Sequence, residues 1–168
     1  MKVAKRFRWE AAHRLPWHEA ECKYVHGHSY RMMVELEGTP TADAAGGTSM
    51  LIDFKHVKRL VKPRVEAMDH ATIVAASDTD LKKAMDGLGT KTYEMPMDTT
   101  AENIAAHLAD RICEDGSDVL RKHGVETIRV QVWETETCYA EAEQQVDASG
   151  EPSAVTDEVE VDPERMSA

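Results

Sequence analysis

The sequence predicts an α+β fold: a four-stranded antiparallel sheet with two helices on one face, in the order β-β-α-α-β-β. Three observations predict it. Apolar residues alternate with polar ones, the period of a half-buried strand, over Lys2 to Leu15 and again over His26 to Gly38. They then fall at steps of three and four, the period of an amphipathic helix, over Asp53 to Met68 and after Thr99. Alternation returns over Thr127 to Glu134 and Cys138 to Glu143. Strands and helices in separate runs bury one sheet face under the helices.

In the first strand Phe7, Trp9, Ala11, His13 and Leu15 share a face, with Arg6, Arg8, Glu10 and Arg14 mostly opposite. A loop with Pro16 follows. In the second strand His26, His28, Tyr30, Met32, Val34 and Leu36 share a face, so the two pair as a hairpin with a long connection. Gly38 to Ser49, with Pro40, Gly46 and Gly47, is a loop. The first helix carries Phe54, Val57, Leu60, Val61, Val65 and Met68 inward, and Pro63 is expected to kink or interrupt it. Residues 75–95 are polar and loop-like, with room for a short helix near Leu81. The second helix starts at Thr99, which has capping-box spacing to Glu102, and ends at Gly116 or Gly124. Ile128, Val130 and Val132 then point inward from the third strand.

The 168 residues suit one folded domain over 1–146, followed by an acidic tail, 147–168, that reads as disordered. The tail holds seven acids and one arginine (net −6), which leaves −5 of the total −11 on the body. Such a balance lacks the basic face that binds nucleic acid. No apolar run is long enough to span a membrane, and the charged N-terminus has no apolar stretch behind it. The cysteines, Cys22, Cys113 and Cys138, are odd in number and lack framework spacing. The expected setting is a reducing cytoplasm with free thiols.

His26-Gly27-His28 is the strongest local signal. In a strand, residues two apart point the same way, so both imidazoles reach one spot. Core histidines with satisfied nitrogens would give the same spacing. His13, at the neighbouring end of the first strand and on the same face, turns the reading toward a metal, because three neutral imidazoles leaving one position open form a catalytic zinc pattern. His18, His56, His107 and His123 lack such partners and read as surface or packing residues. Cys22 faces the three histidines from the loop, where a thiolate would be a strong base or nucleophile; alone, a loop cysteine is as readily inert. Cys113 and Cys138 read as packing residues. Asp69-His70 has the composition of a proton-shuttling pair, a weak signal by itself. Glu134 ends the buried row of the third strand. A carboxylate there either pairs with an arginine or binds two adjacent N–H groups of a flat, nitrogen-rich ring. Glu102 either joins that pocket or only caps its helix.

These residues occur in segments that resemble the 6-pyruvoyltetrahydropterin synthase / 6-carboxytetrahydropterin synthase family. The segments are Trp9-Glu10-Ala11-Ala12-His13-Arg14-Leu15, Cys22 to Tyr30 (CKYVHGHSY), Ile52-Asp53-Phe54, Met68-Asp69-His70, Thr100-Ala101-Glu102-Asn103 and Trp133-Glu134-Thr135. They run in order over roughly residues 3–142; the tail and residues 74–95 lie outside the resemblance. The resemblance implies a tunnelling fold, in which subunits join their sheets into a barrel. It also implies a homo-oligomer, hexamer or tetramer, with active sites at subunit interfaces. It places Zn2+ on His13, His26 and His28 and makes Cys22 the catalytic base. Asp69 and His70 become a second proton-handling pair from a neighbouring subunit. Glu134 becomes the pterin anchor, with Thr100 and Glu102 nearby. The implied substrate is 7,8-dihydroneopterin triphosphate, with Lys23 and Arg14 as candidates for its charge. The three residues between Cys22 and His26 are similar to the carboxy-forming branch, which serves 7-deazaguanine (queuosine or archaeosine) synthesis. The alternatives are the pyruvoyl-forming branch, a hydroxymethyl-forming branch that Cys22 argues against, and a catalytically silent zinc- or pterin-binding homologue.

Overall fold

The computed structural model describes residues 1–41 and 49–147. The elements are β1 (Lys2–His13), β2 (His26–Gly38), α1 (Phe54–Met68), β3 (Ala71–Ala75), α2 (Thr79–Leu88), β4 (Thr92–Met95), α3 (Ala101–Lys122), β5 (Val125–Trp133) and β6 (Tyr139–Gln145), with a 3-10 turn at Glu21–Lys23. The strands form one sheet in the order β4-β3-β1-β2-β5-β6. The antiparallel strands β1, β2, β5 and β6 are the expected four. Two more, β3 and β4, extend the sheet in parallel beyond β1, so it is mixed and six-stranded.

Of these additions β3 leads into the stretch 75–95 expected to be loop-like and β4 lies within it, while α2 is the short helix for which room was expected near Leu81. Every residue of β3 is buried, so it lacks the alternation that marks a strand covered on one side only. Helix α2, the third helix, is short and polar. The Asp78 side chain caps its start, accepting from the Leu81 N–H, and Gly89 in the left-handed conformation closes it.

Helix α1 runs through Pro63 without a break. Pro63 is exposed, so the carbonyl that loses its N–H partner faces water. Helix α3 begins one residue later than the expected capping box. Its cap is Thr100, whose side chain accepts from Asn103 N–H, which leaves Thr99 for other bonds. It also runs through Gly116, where an added Cβ would lie 3.1 Å from Leu60 of α1; the glycine allows the two helices to approach. The helix ends at Gly124, whose φ of +70° suits glycine.

Helix α3 lies over β5 and β6, and α1 lies over β1 and against α3. Between them and the sheet, Trp9, Tyr30, Met32, Val34, Val57, Val61, Ile104, Leu108, Ile128 and Val130 form one core. The opposite face of β1 and β2 is open, with Arg6, Arg8, Glu10, Ser29 and Arg31 exposed. Val146 is buried and its N–H bonds to Glu126 O, so the described chain stays packed to the end of β6. The tail beyond Asp147 lies outside the described residues, as do residues 42–48 of the Gly38–Ser49 loop. Among the described residues no helix is long and apolar enough to cross a membrane.

Candidate active site

The β1–β2 register creates the centre of the site. His13 pairs with His26, and Ala11 with His28, so all three imidazoles project from one end of one sheet face. Their ring centroids lie 4.6, 5.1 and 4.9 Å apart, and one nitrogen of each lies within 4.8 Å of the others. Backbone carbonyls set two of the tautomers. His13 Nδ1 lies 2.7 Å from Thr99 O, and His26 Nδ1 lies 2.8 Å from Tyr24 O. Each Nδ1–H donates there, which leaves the Nε2 lone pair free. The Nε2 atoms of His13 and His28 are buried without a hydrogen-bond partner among the described residues. Such atoms are costly unless something binds them. Burial lowers the His13 pKa to about 4, and its two imidazole neighbours add to the depression against the opposing Thr99 carbonyl. His13 is therefore neutral at pH 7 and able to ligate. The cluster fits a zinc ion with one open position.

Below the rings sits Tyr30, fully buried and stacked on Trp9 at 5.0 Å. Its hydroxyl donates to Glu134 Oε1 at 3.3 Å, and burial, with Glu134 adding to it, pushes its pKa up. The same Glu134 oxygen lies 3.6 Å from His13 Nε2. Glu134 is the first residue beyond β5, so it keeps the inward parity of Val130 and Val132 while its carboxylate reaches the rim. The arginine pairing considered for it is absent among the described residues; the Tyr30 phenol bonds to it, and the His13 imidazole lies near without a hydrogen bond.

The cluster forms one wall of a cavity of about 540 Å3, which Cys22, Thr100, Glu102 and Glu134 also line. Cys22 sits half-buried in the 3-10 turn, and its carbonyl accepts from Leu15 N–H at 2.8 Å, which ties the loop back to the end of β1. Thr99 joins β1 to α3: its hydroxyl donates to Arg14 O at 3.1 Å while its carbonyl holds His13. That bond sets where Thr100 and Glu102 enter the cavity.

Asp69 and His70 lie elsewhere within this chain. His70 lines a second depression, with Glu10, Gly27, His28 and Ser29, that opens toward the uncovered side of the sheet; His28 borders both it and the cavity. It is largely exposed, whereas His13 is 2 % exposed. The pair is nonetheless held firmly. Asp69 Oδ1 accepts from Glu10 N–H and lies 3.0 Å from His70 Nδ1, and His70 N–H donates to Glu10 O at 2.7 Å. The bond from Glu10 N–H, with His70 adding to it, lowers the Asp69 pKa. His70 has φ +57°, in the left-handed region that is uncommon outside glycine.

Arg14 is not free for an anionic substrate. It makes two bonds to Asp78, of 2.7 and 2.6 Å, and this pairing raises its own pKa and lowers that of Asp78. Lys23 lies over the Tyr24 ring, 5.1 Å from its centroid. Trp17, Tyr139 and Ala140 line the cavity without having been singled out in the sequence, and Thr135 stood out there only as part of a family-like segment. Cys138, expected to pack, is exposed at the rim. Tyr30 could have been found, because it continues the row His26, His28 on β2.

Fold and site together define a tunnelling-fold protein built around a three-imidazole cluster. The chain belongs to the 6-pyruvoyl tetrahydropterin synthase family, whose profile matches residues 2–145. It is 33% identical over 144 residues to the 6-carboxy-5,6,7,8-tetrahydropterin synthase of Haemophilus influenzae, covering 83% of this chain and 96% of that protein. It is 32% identical over 143 residues to the enzyme of the same name from Rickettsia typhi, covering 84% and 99%. Among solved structures, the 6-pyruvoyl tetrahydropterin synthase of Plasmodium falciparum shares the fold at TM-score 0.70 and 17% identity, covering 87% of this chain and 98% of that one. The Caenorhabditis elegans 6-pyruvoyl tetrahydropterin synthase does so at 0.56 and 20%, covering 86% and 94%.

Proposed function

We propose that this protein is a zinc-dependent lyase that converts 7,8-dihydroneopterin triphosphate to 6-carboxy-5,6,7,8-tetrahydropterin, acetaldehyde and triphosphate, for 7-deazaguanine synthesis in the cytoplasm. The observation that carries the reading is the meeting of three imidazole nitrogens in the cavity that also holds Cys22 and Glu134. The names of the relatives favour the carboxy-forming product.

His13, His26 and His28 would hold the zinc, which when bound supplies Lewis acidity toward the substrate's side-chain oxygens. The remaining work falls to the chain's own groups. Glu134 accepts two N–H groups of the pterin ring and fixes its plane, with Thr100 and Glu102 beside it. Cys22 acts as the base that removes a proton from the substrate's side-chain carbon. A proton relay is the part assigned to Asp69 and His70. Since they open onto the other side of the sheet, they serve the cavity of a neighbouring copy in a homo-oligomer. Their mutual bonds and the clamp to Glu10 keep the imidazole oriented for that task.

A metal analysis combined with a product assay tests this. One zinc per chain and release of acetaldehyde from dihydroneopterin triphosphate are expected. A pyruvoyl product without acetaldehyde would move the protein to the other branch. Zinc and pterin binding without turnover would make it a silent homologue, and a protein that takes up no zinc would sink the proposal.

A further inference from the structure

On the open face of the sheet, charge is distributed in two distinct ways. Around β2 and β5 the bases are matched. Arg129 contacts Glu35, Glu37 and Glu143 at 3.0, 2.6 and 2.6 Å, and Lys2 reaches Glu35 and Glu37 at 3.1 and 3.3 Å. Toward the other end of β1 the pattern reverses. Arg8 and Arg31 are direct cross-strand partners, and Arg6 stands diagonally from Arg31 on the same face. Like charges directly opposite on a ladder repel. All three arginines are exposed. Among the described residues Arg6 and Arg8 make no ion pair, and Arg31 has a single partner, Glu136 at 2.8 Å, whose side chain is 80 % exposed. Glu10, the nearest acid along β1, is occupied by the Ser29 hydroxyl at 2.7 Å and makes no ion pair with Arg8. Arg6 and Arg31 line a depression of about 190 Å3 with Trp133 and Glu136.

A chain of net charge −11 thus leaves three adjacent guanidinium groups almost without counter-charge, beside a region where each base has two or three carboxylates. We propose that Arg6, Arg8 and Arg31 form a binding site for a polyphosphate anion on the open face of the sheet. Guanidinium groups bind phosphate oxygens in pairs, and an elongated anion with several negative charges relieves the Arg8–Arg31 repulsion where one weakly held carboxylate does not. Arg31 would exchange Glu136 for the anion. The site rests on the charges of this face, not on the reading of the histidine cavity.

The test uses the full chain with sodium tripolyphosphate and inorganic phosphate as probes, by calorimetry at low salt, with sulfate as control. Saturable tripolyphosphate binding, tighter than that of sulfate, is expected. It should weaken at least tenfold in Arg8→Gln/Arg31→Gln and remain unchanged in Arg129→Gln. Arg8→Lys/Arg31→Lys, which keeps the charge and loses the paired geometry, should fall between, and serves if the glutamine variant fails to fold. A second arm, which alone assumes the proposed turnover, separates two sources of the anion. A raised KM in the variant assigns the site to the substrate's triphosphate; loss only of inhibition by added tripolyphosphate assigns it to the free anion. Either result supports the site. Wild-type binding no tighter than that of sulfate would overturn it, as would equal binding by wild type and both double variants. So would a variant that changes the oligomeric mass in sedimentation but leaves tripolyphosphate binding intact, since the arginines would then be answered by carboxylates of another copy.

Discussion

His13 and His70 differ in what surrounds them more than in what they are. The first is sealed between sheet and helices; the second stands in water on the opposite side. His13 is held neutral by burial and has one nitrogen without a hydrogen-bond partner among the described residues, which suits it to ligation. His70 has its Nδ1 beside Asp69 and its backbone clamped to Glu10, which holds a largely exposed ring in a fixed place. The difference teaches that solvent exposure, and which nitrogen is already engaged, decide whether a histidine is suited to ligation or to proton transfer, the two roles proposed for this pair.

The contrast can be broken most directly at the thiol. Cys22→Ala should cut turnover by about 10²–10⁴-fold, the usual worth of a placed general base, while zinc content stays at the wild-type level. His70→Ala should also keep its zinc and lose turnover. If the pair serves a neighbouring copy, mixing the two inactive variants and letting subunits exchange should restore measurable activity; mixtures that stay inactive would place the relay within one chain. A smaller effect is expected at the anchor. Glu134→Ala should raise the dissociation constant for a pterin by about 10–100-fold, the loss of hydrogen bonds to a charged group. Tyr30→Phe, which removes only the bond that orients that carboxylate, should cost about 3–10-fold in KM with kcat and zinc content little changed. Equal kcat losses in both would mean that Glu134 acts on the chemistry instead.

The smallest effect is the one that burial alone produces. Because the folded His13 pKa is about 4 against an ordinary 6.5, the unfolded chain takes up a proton in that interval that the folded chain refuses. Its contribution to stability is therefore complete above pH 6.5 and is lost as pH falls toward 4. The melting temperature of the zinc-free protein should decline across that window, and His13→Phe should flatten the decline. An unchanged slope in the variant would show that other groups govern it.

Much of this was legible because β1 and β2 are covered on one side only. Alternation then reveals both the strand and its inward face, which is why His13, His26, His28 and Glu134 could be placed on one side before any coordinates. The strand β3 escaped for the opposite reason: with every residue buried, Ala71 to Ala75 carries no period. Helix α2, short and polar, was legible only as room for a short helix near Leu81, and its capping Asp78 is also committed to Arg14, a contact 64 residues distant in sequence that no local pattern encodes. The place of Asp69 and His70 on the far side of the sheet follows from the parallel crossover into β3, which the expected antiparallel order did not contain. Thr99 and Thr100 could not be told apart as caps, because their hydroxyls compete for the same role until Arg14 O claims one of them.

The Thr99 carbonyl deserves its own reckoning as a mechanical link. It grips the imidazole least exposed to water, while the residues that follow it open α3 and line the cavity. That single bond ties the placement of the His13 imidazole to the placement of the first turn of α3, whose residues line the cavity.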